Sequence, residues 1–314
     1  LMHSRMQSEV APDSLLPAVK RLQQQEEQAT DVVLKSVYDA VLAQIYESNP
    51  QLADDWHARQ EEYKTRAMAH PEALAAVTTD DYDPFVVKGK DSELFGHDLL
   101  SVIGRELHEC QWLSQYYEKA GNRPAACLMA LEALKAQSGL SNQERIRKAD
   151  SLVAVYGDLP EACEIAIQRY EWMDDDQYDE AQYAEWLQQS LKRWGSWKRA
   201  NSLRNSWERL INPHFHISGD WHVMEVNKPQ TLKLTQLRHL QSLTMKVYRT
   251  KLSGDTNLNP DYADGYKKIK PGLTELPEKG RTLTFSGHED YELFEDSTVL
   301  EGLPAGVYML EFSS

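Results

Sequence analysis

Three cysteines, Cys110, Cys127 and Cys163, are the most reactive side chains in the 314 residues. A cysteine becomes a nucleophile when a neighbouring His, cation or helix N-terminus stabilises its thiolate. Only Cys110 has a His close in sequence, His108, and on a helix residues two apart point in different directions. The spacing therefore predicts three packed thiols inside helices rather than a catalytic residue or a disulfide framework.

Imidazoles and carboxylates come next. His214 and His216 alternate as on one face of a strand, with His222 a short way on, and zinc accepts imidazole ligands. No Cys or carboxylate completes a zinc spacing around them. Asp255, Asn257, Asn259 and Asp261 alternate like the first ligands of a calcium loop. Pro260 occupies the position that needs Gly, however, and no bidentate Glu follows. An Asn- and Pro-rich surface loop explains the same residues, and the four remain only its candidate ligands. Asp80, Asp81 and Asp83, and the run Asp174 to Asp176, have the composition of catalytic carboxylate pairs but also of solvated turns.

The chain contains no glycine-rich phosphate loop, no zinc-protease helix signature and no Gly-x-Ser-x-Gly elbow. Its formal net charge of −15 opposes binding to a phosphate backbone, so nucleic acid is not an expected partner. No apolar run reaches the roughly 18 to 20 residues that span a bilayer, and no secretory leader is visible. The sequence calls for no cofactor and no enzyme. Both ends look cut from something longer.

The elements that would position these residues fall into two regimes. From Ser14 to about Asn212 the hydrophobic period is helical. Leu34, Val37, Tyr38, Val41, Leu42 and Ile45 form a stripe over Asp31 to Ser48, ended by Asn49-Pro50. Helices are predicted over Gln51 to Ala69, Leu99 to Lys119, Ala125 to Gln137, Glu180 to Trp194 and Trp197 to Ile211. Asp179 or one of Asp174 to Asp176 would cap the fourth of them. Thr78 to Asp91 is predicted as an ordered loop. Gly121, Pro124, Ala126, Cys127, Ala130 and Leu131 are matched by Gly157, Pro160, Ala162, Cys163, Ala166 and Ile167, about 36 residues later, within the span of helical-hairpin repeats. Gly would end one helix, Pro would start the next, and small side chains would let two helices approach. The predicted architecture of this region is a TPR-like set of αα-hairpins.

At Asn212-Pro213 the period changes to two. His214 to Ile217, Trp221 to Val226, Thr231 to Thr235, Leu243 to Thr250, Thr282 to Phe285, Ser297 to Leu300 and Val307 to Phe312 alternate between turn residues. About seven such runs predict an antiparallel β-sandwich of immunoglobulin or fibronectin type III kind. Ser253 to Gly280 interrupts them as a polar insertion. The last run enters through Pro304-Ala305-Gly306 and must pair with strands before it.

The segments Leu243-Thr-Met-Lys-Val-Tyr-Arg249, Tyr291-Glu-Leu-Phe-Glu-Asp-Ser297 and Leu303-Pro-Ala-Gly-Val-Tyr308 resemble the first macroglobulin-like β-domain of bacterial alpha-2-macroglobulin family proteins of the Bacteroidetes type. Phe85-Val-Val-Lys-Gly-Lys-Asp91, Leu94-Phe-Gly-His-Asp98 and Gly121-Asn-Arg-Pro-Ala-Ala-Cys127 resemble the helical region before that domain. The resemblance implies a large exported protein of the periplasm or the outer-membrane-anchored cell envelope. In such a protein, cleavage of a bait region triggers a conformational change that encloses or attaches to the attacking protease. This chain departs from the family pattern in having no Cys-Gly-Glu-Gln thioester: Gln111, Leu128 and Glu164 follow its three cysteines. No bait region is recognisable either.

Together these readings predict an α+β multidomain chain. Residues 1–13 would be disordered or of artificial origin, 14–212 an α-helical domain, and 213–314 a macroglobulin-like β-sandwich. Trp186, Trp194, Trp197 and Trp207 would seal the helical end against the sandwich. The expected function is a non-catalytic N-terminal scaffold of a protease inhibitor, with the remaining domains and, through the full-length protein, target proteases as partners. The alternative is a free-standing helical-repeat binding module with an accessory sandwich.

Overall fold

The computed structural model of the chain describes residues 15–82, 86–174, 177–218, 223–252, 263–288 and 290–314. The protein is of mixed α+β type and divides into two compact units. One runs through Met173 and includes Ser196–Arg199; the other comprises Asp174–Gly195 and Ala200–Ser314. This division does not coincide with the change of hydrophobic period at Asn212-Pro213, because two helices before that point go with the sheets.

The first unit is built from α1 (Leu15–Gln28), α2 (Val32–Ser48), α3 (Trp56–Ala67), α4 (Pro71–Ala75), α5 (Leu99–Glu106), α6 (Cys110–Lys119), α7 (Arg123–Ala136), α8 (Asn142–Tyr156) and α9 (Ala162–Trp172). Asp31 caps α2 by accepting from the Leu34 amide, and the chain turns at Asn49-Pro50 where the sequence signals a stop. The buried surface of α2 is wider than the predicted stripe. Leu34 is 37% exposed, while Val33, Ser36, Asp39, Ala40 and Ala43 are buried, because α2 packs on α1, α3 and α5.

The continuous helix predicted over Leu99 to Lys119 is two helices. The break carries neither Pro nor Gly: His108 adopts a left-handed φ of 60°, and the Glu109 amide donates back to the Gly104 carbonyl at 2.7 Å. A Cβ on Gly104 would lie 2.8 Å from the buried Leu113 side chain, so the bend folds α6 tightly back on α5. The internal similarity is one of packing rather than of turns. Ala126, Cys127, Ala162, Cys163 and Ala166 are all buried in α7 and α9. Gly121 is left-handed at φ 78° and Pro124 sits in the first turn of α7, whereas Gly157 has φ −65° and Pro160 precedes the start of α9.

The second unit begins with α10 (Glu180–Trp194) and α11 (Asn201–Ile211). A capping box between Asp179 and Gln182 starts α10, which settles the capping residue. The helix predicted over Trp197 to Ile211 starts at Asn201, because Ser196–Arg199 goes with the first unit. The strands are β1 (His214–Ser218), β2 (Gln230–Arg238), β3 (Ser242–Arg249), β4 (Thr274–Glu275), β5 (Arg281–Thr284), β6 (Phe294–Leu300) and β7 (Tyr308–Ser313), with α12 (Ala263–Ile269) between β3 and β4. One antiparallel sheet has the order β1-β2-β6. In the other, β3 is flanked by β7 on one side and by β4 and β5 on the other.

The two sheets share their apolar faces. Leu232 and Leu300 of the first cluster with Met245 and Val247 of the second, and Leu234, Leu237 and Leu240 pack with Leu243. The step from Leu234 to Leu237 is odd, yet both face inward, because a bulge with Gln236 at φ 55° resets the alternation. The strand predicted over Trp221 to Val226 does not form in its described residues. Val223 is 87% and Val226 55% exposed, and of the described residues there only Met224 packs against the sheet core, as a single side chain rather than as one face of a strand.

Candidate functional site

The segment Trp197-Lys198-Arg199 meets three carboxylates within the first unit. Its principal receptor is Asp91, whose backbone is left-handed at φ 59°, a conformation that Asp tolerates better than most residues. Asp91 opens a 3-10 turn, Ser92–Phe95, that is fixed from several directions. Ser92 Oγ lies 3.0 Å from His97 Nδ1, Asn122 donates to the Leu94 carbonyl at 2.8 Å, and Arg105 donates to the Lys90 carbonyl at 2.8 Å. The Arg105 guanidinium also lies 4.2 Å from the centre of the Phe95 ring.

On this platform Arg199 donates to both carboxylate oxygens of Asp91, each at 2.8 Å, and its Nε donates to Glu164. Lys198 Nζ bridges Asp91 at 2.6 Å and Glu93 at 2.5 Å. The Trp197 indole donates to Glu164 at 2.5 Å, and the Lys198 and Arg199 charges each lie 5.3 Å from its ring centre. The Asp91 side chain is only 5% exposed. Burial pushes its pKa upward, but the hydrogen bonds and charges of Arg199 and Lys198 outweigh that and hold it down at about 2. The fork of Arg199 matches a carboxylate in a way that a lysine could not. Every charge in this clasp faces an opposite one, so the arrangement fixes a segment of chain.

The other tryptophans occupy different positions. Trp194 is buried in the second unit with the Arg193 guanidinium 4.8 Å from its ring, and Trp186 is half-buried on the same helix. Trp207 of α11 lies 6.5 Å from the Tyr291 ring, which meets the His239 ring edge-on at 5.1 Å. Arg238 at the end of β2 donates to the Arg209 carbonyl of α11. Trp207 therefore stands where a helix meets the strand connections inside the second unit, whereas Trp197 belongs to the clasp in the first.

A second charged cluster gave little warning in the sequence. Glu26 and Asp39, both buried, converge on Arg66, with Lys35 at 3.3 Å from Glu26 and Arg66 at 3.1 Å from Asp39. Burial pushes Asp39 up to about 6, aided by the Glu26 charge and only partly countered by Arg66. Glu26 itself is lowered: burial works to raise it, and the Arg66 and Lys35 contacts prevail. The one sequence signal was an Asp within the apolar run of α2.

Cys127 and Cys163 are buried and Cys110 is half-buried. Cys127 is pushed up to about 12 by burial, and Cys110 is raised for the same reason. His214 and His216 lie on the exposed side of β1, and the His214 ring is 3.4 Å from Gln236 Oε1. His222, Asp83, Asp175 and Asp176 lie outside the described residues, as do Asp255, Asn257, Asn259 and Asp261. Asp80 pairs with Lys88 at 2.7 Å, and Asp81 accepts from Thr78 at 3.2 Å. Among the described residues no group of three or more His, Cys, Asp or Glu side chains could hold a metal, and no helix is long and apolar enough to cross a membrane.

Comparisons with protein-family models, with curated proteins and with solved structures find no match to the chain. What the fold defines is an α+β protein with a helical first unit and two antiparallel sheets in the second.

Proposed function

We propose that the chain is a non-catalytic scaffold segment of a larger cell-envelope protein of the alpha-2-macroglobulin type, which traps endopeptidases. The observation that carries this reading is the pairing of two of the segments that bear the resemblance. Leu243 to Arg249 forms β3, Leu303 to Tyr308 leads into β7, and the two strands pair from Thr244↔Ser313 to Arg249↔Tyr308. The third segment, Tyr291 to Ser297, leads into β6 of the facing sheet. Two antiparallel sheets that share an apolar core are what a sandwich reading needs, and they support it. The upstream segments of the resemblance support the same reading: Asp91 is the receptor of the clasp. Asp98 caps α5 and accepts from Tyr117 at 2.7 Å.

In this role the clasp and the shared sheet core would give the remaining domains a fixed platform while they rearrange. The test is the native protein. An antibody raised against this chain should detect, in fractionated cells, an envelope species well above the chain's 36.0 kDa. A species of about that mass in the cytosolic fraction would refute the proposal.

A further inference from the structure

The helix α1 is held on α2 and α3 by little apolar surface. Of its 14 residues only Ala18, Val19 and Glu26 are buried, and the last is a carboxylate. The rest of the hold is polar. Gln23 donates to the Tyr63 hydroxyl at 2.9 Å and to that of Tyr46 at 3.4 Å, while Glu26 meets Lys35 of α2 at 3.3 Å and Arg66 of α3. The same Arg66 nitrogen, Nη2, also lies 3.1 Å from Oδ1 of Asp39, which is 2% exposed and accepts no well-directed hydrogen bond at that oxygen. Two buried carboxylates from two helices thus share one guanidinium nitrogen, and a proton on one of them relieves their repulsion. Glu26 has the directed contacts, so Asp39 is the one that takes the proton.

The other charges around Asp39 do not change this. Glu62 of α3 adds a further negative one, and Lys35 of α2 a positive one that Glu26 already engages. Lys20, Arg21 and Glu27 of α1 are exposed. From the remaining helices on α2, Arg105 of α5 turns to the Lys90 carbonyl, Glu106 of α5 accepts from Gln44, and Glu72 of α4 acts on Tyr116. We infer that α1 is a pH-gated strap: it docks on α2 and α3 with a proton on Asp39, and loss of that proton loosens it and uncovers Tyr46 and Tyr63. Docked, Asp39 titrates at about 6; undocked, in water beside an Arg66 of its own, it returns to about 3.9 or below. Docking therefore takes up a proton between about pH 4 and pH 6 and weakens as pH rises through that window. Glu26 is lowered when docked, so its contribution is lost as pH falls below about 4.3. The strap is tightest near about pH 5. The inference is independent of the scaffold proposal.

The test is hydrogen exchange of the whole chain, read by mass spectrometry between about pH 5 and about pH 7.5 and corrected for the intrinsic pH dependence of exchange. Amides from Val19 to Glu26 should be protected at least about tenfold less than those of α2 and α3, which marks an opening of α1 alone. Their protection should fall about tenfold from the acid to the neutral end of the range. Asp39→Asn, which keeps the shape without the charge, should remove that pH dependence and hold α1 at its acid level of protection. Circular dichroism checks folding, and Asp39→Ala, which should also remove the dependence, takes the place of an asparagine variant that does not fold. Protection of α1 that is constant with pH, protection equal to that of α2 and α3 throughout, or a pH dependence that survives in the Asp39 variant would overturn the inference.

Discussion

Arg199 delivers both terminal nitrogens to Asp91 at 2.8 Å across a sequence separation of 108 residues. Removing the guanidinium leaves a carboxylate 5% exposed with only Lys198 beside it. A buried pair broken on one side costs about 3 to 5 kcal/mol, and the 28% exposure of the Arg199 side chain reduces this. Arg199→Ala should therefore destabilise the first unit by about 2 kcal/mol, and Arg199→Lys by about half as much because it loses the fork. Urea titration followed by tryptophan fluorescence measures both. Equal stability of the alanine variant and the wild type would dismiss the clasp.

Acid should release the same contact. Asp91 is held at about 2 in the folded protein, against about 3.9 for an unfolded aspartate. Its contribution is thus complete above about pH 4 and disappears as pH falls through about 2. Melting curves from pH 5 to pH 2 should converge for wild type and Arg199→Ala at the acid end. A constant gap between them would count against the assignment.

Asp39 should behave in the opposite sense. Its pKa is raised to about 6 in the folded state, so between about pH 4 and pH 6 the folded protein keeps a proton that the unfolded chain gives up. Stability of the first unit should fall as pH rises through that window, and the ionised Asp39 should be a cost at neutral pH. Asp39→Asn removes the charge while keeping the shape. It should melt higher than wild type at pH 7.5, by up to about 2 kcal/mol in stability, and be no more stable at pH 4. A variant less stable than wild type at pH 7.5 would show that Arg66 needs both carboxylates.

Gly302 tests the approach to the last strand. A Cβ there would sit 2.5 Å from the Asn227 carbonyl carbon, and Asn227 is itself left-handed and donates its amide to the Leu303 carbonyl at 2.8 Å. Backbone cannot yield as a side-chain tip can, so Gly302→Ala should destabilise the second unit by about 1 to 3 kcal/mol. Hydrogen exchange would localise the effect to β3 and β7. Exchange unchanged in those strands would mean that the turn relaxes freely.

The sequence announced those features that follow from local chemistry. The aspartates before Glu180 mark a helix start, Asn49-Pro50 marks a stop, and Leu243 to Arg249 alternates because one face of β3 is buried. Features that depend on tertiary approach were hidden. Nothing in Leu107-His108-Glu109 signals a break, since the bend between α5 and α6 depends on Leu113 packing against Gly104. The alternation in β2 fades after Thr235 because the bulge at Gln236 shifts its phase. The clasp was legible only as an aromatic residue followed by two cations; Asp91 and Glu164 are distant in sequence and come together only through folding. Trp197 was grouped with Trp207 by composition, yet the two belong to different compact units.

The most direct measurement of the scaffold proposal uses the intact native protein and an endopeptidase that cleaves it. After mixing, the protease is assayed on a large protein substrate and on a short chromogenic peptide. Enclosure predicts that digestion of the large substrate is suppressed while the peptide is still cleaved. Undiminished cleavage of both substrates would contradict the proposal.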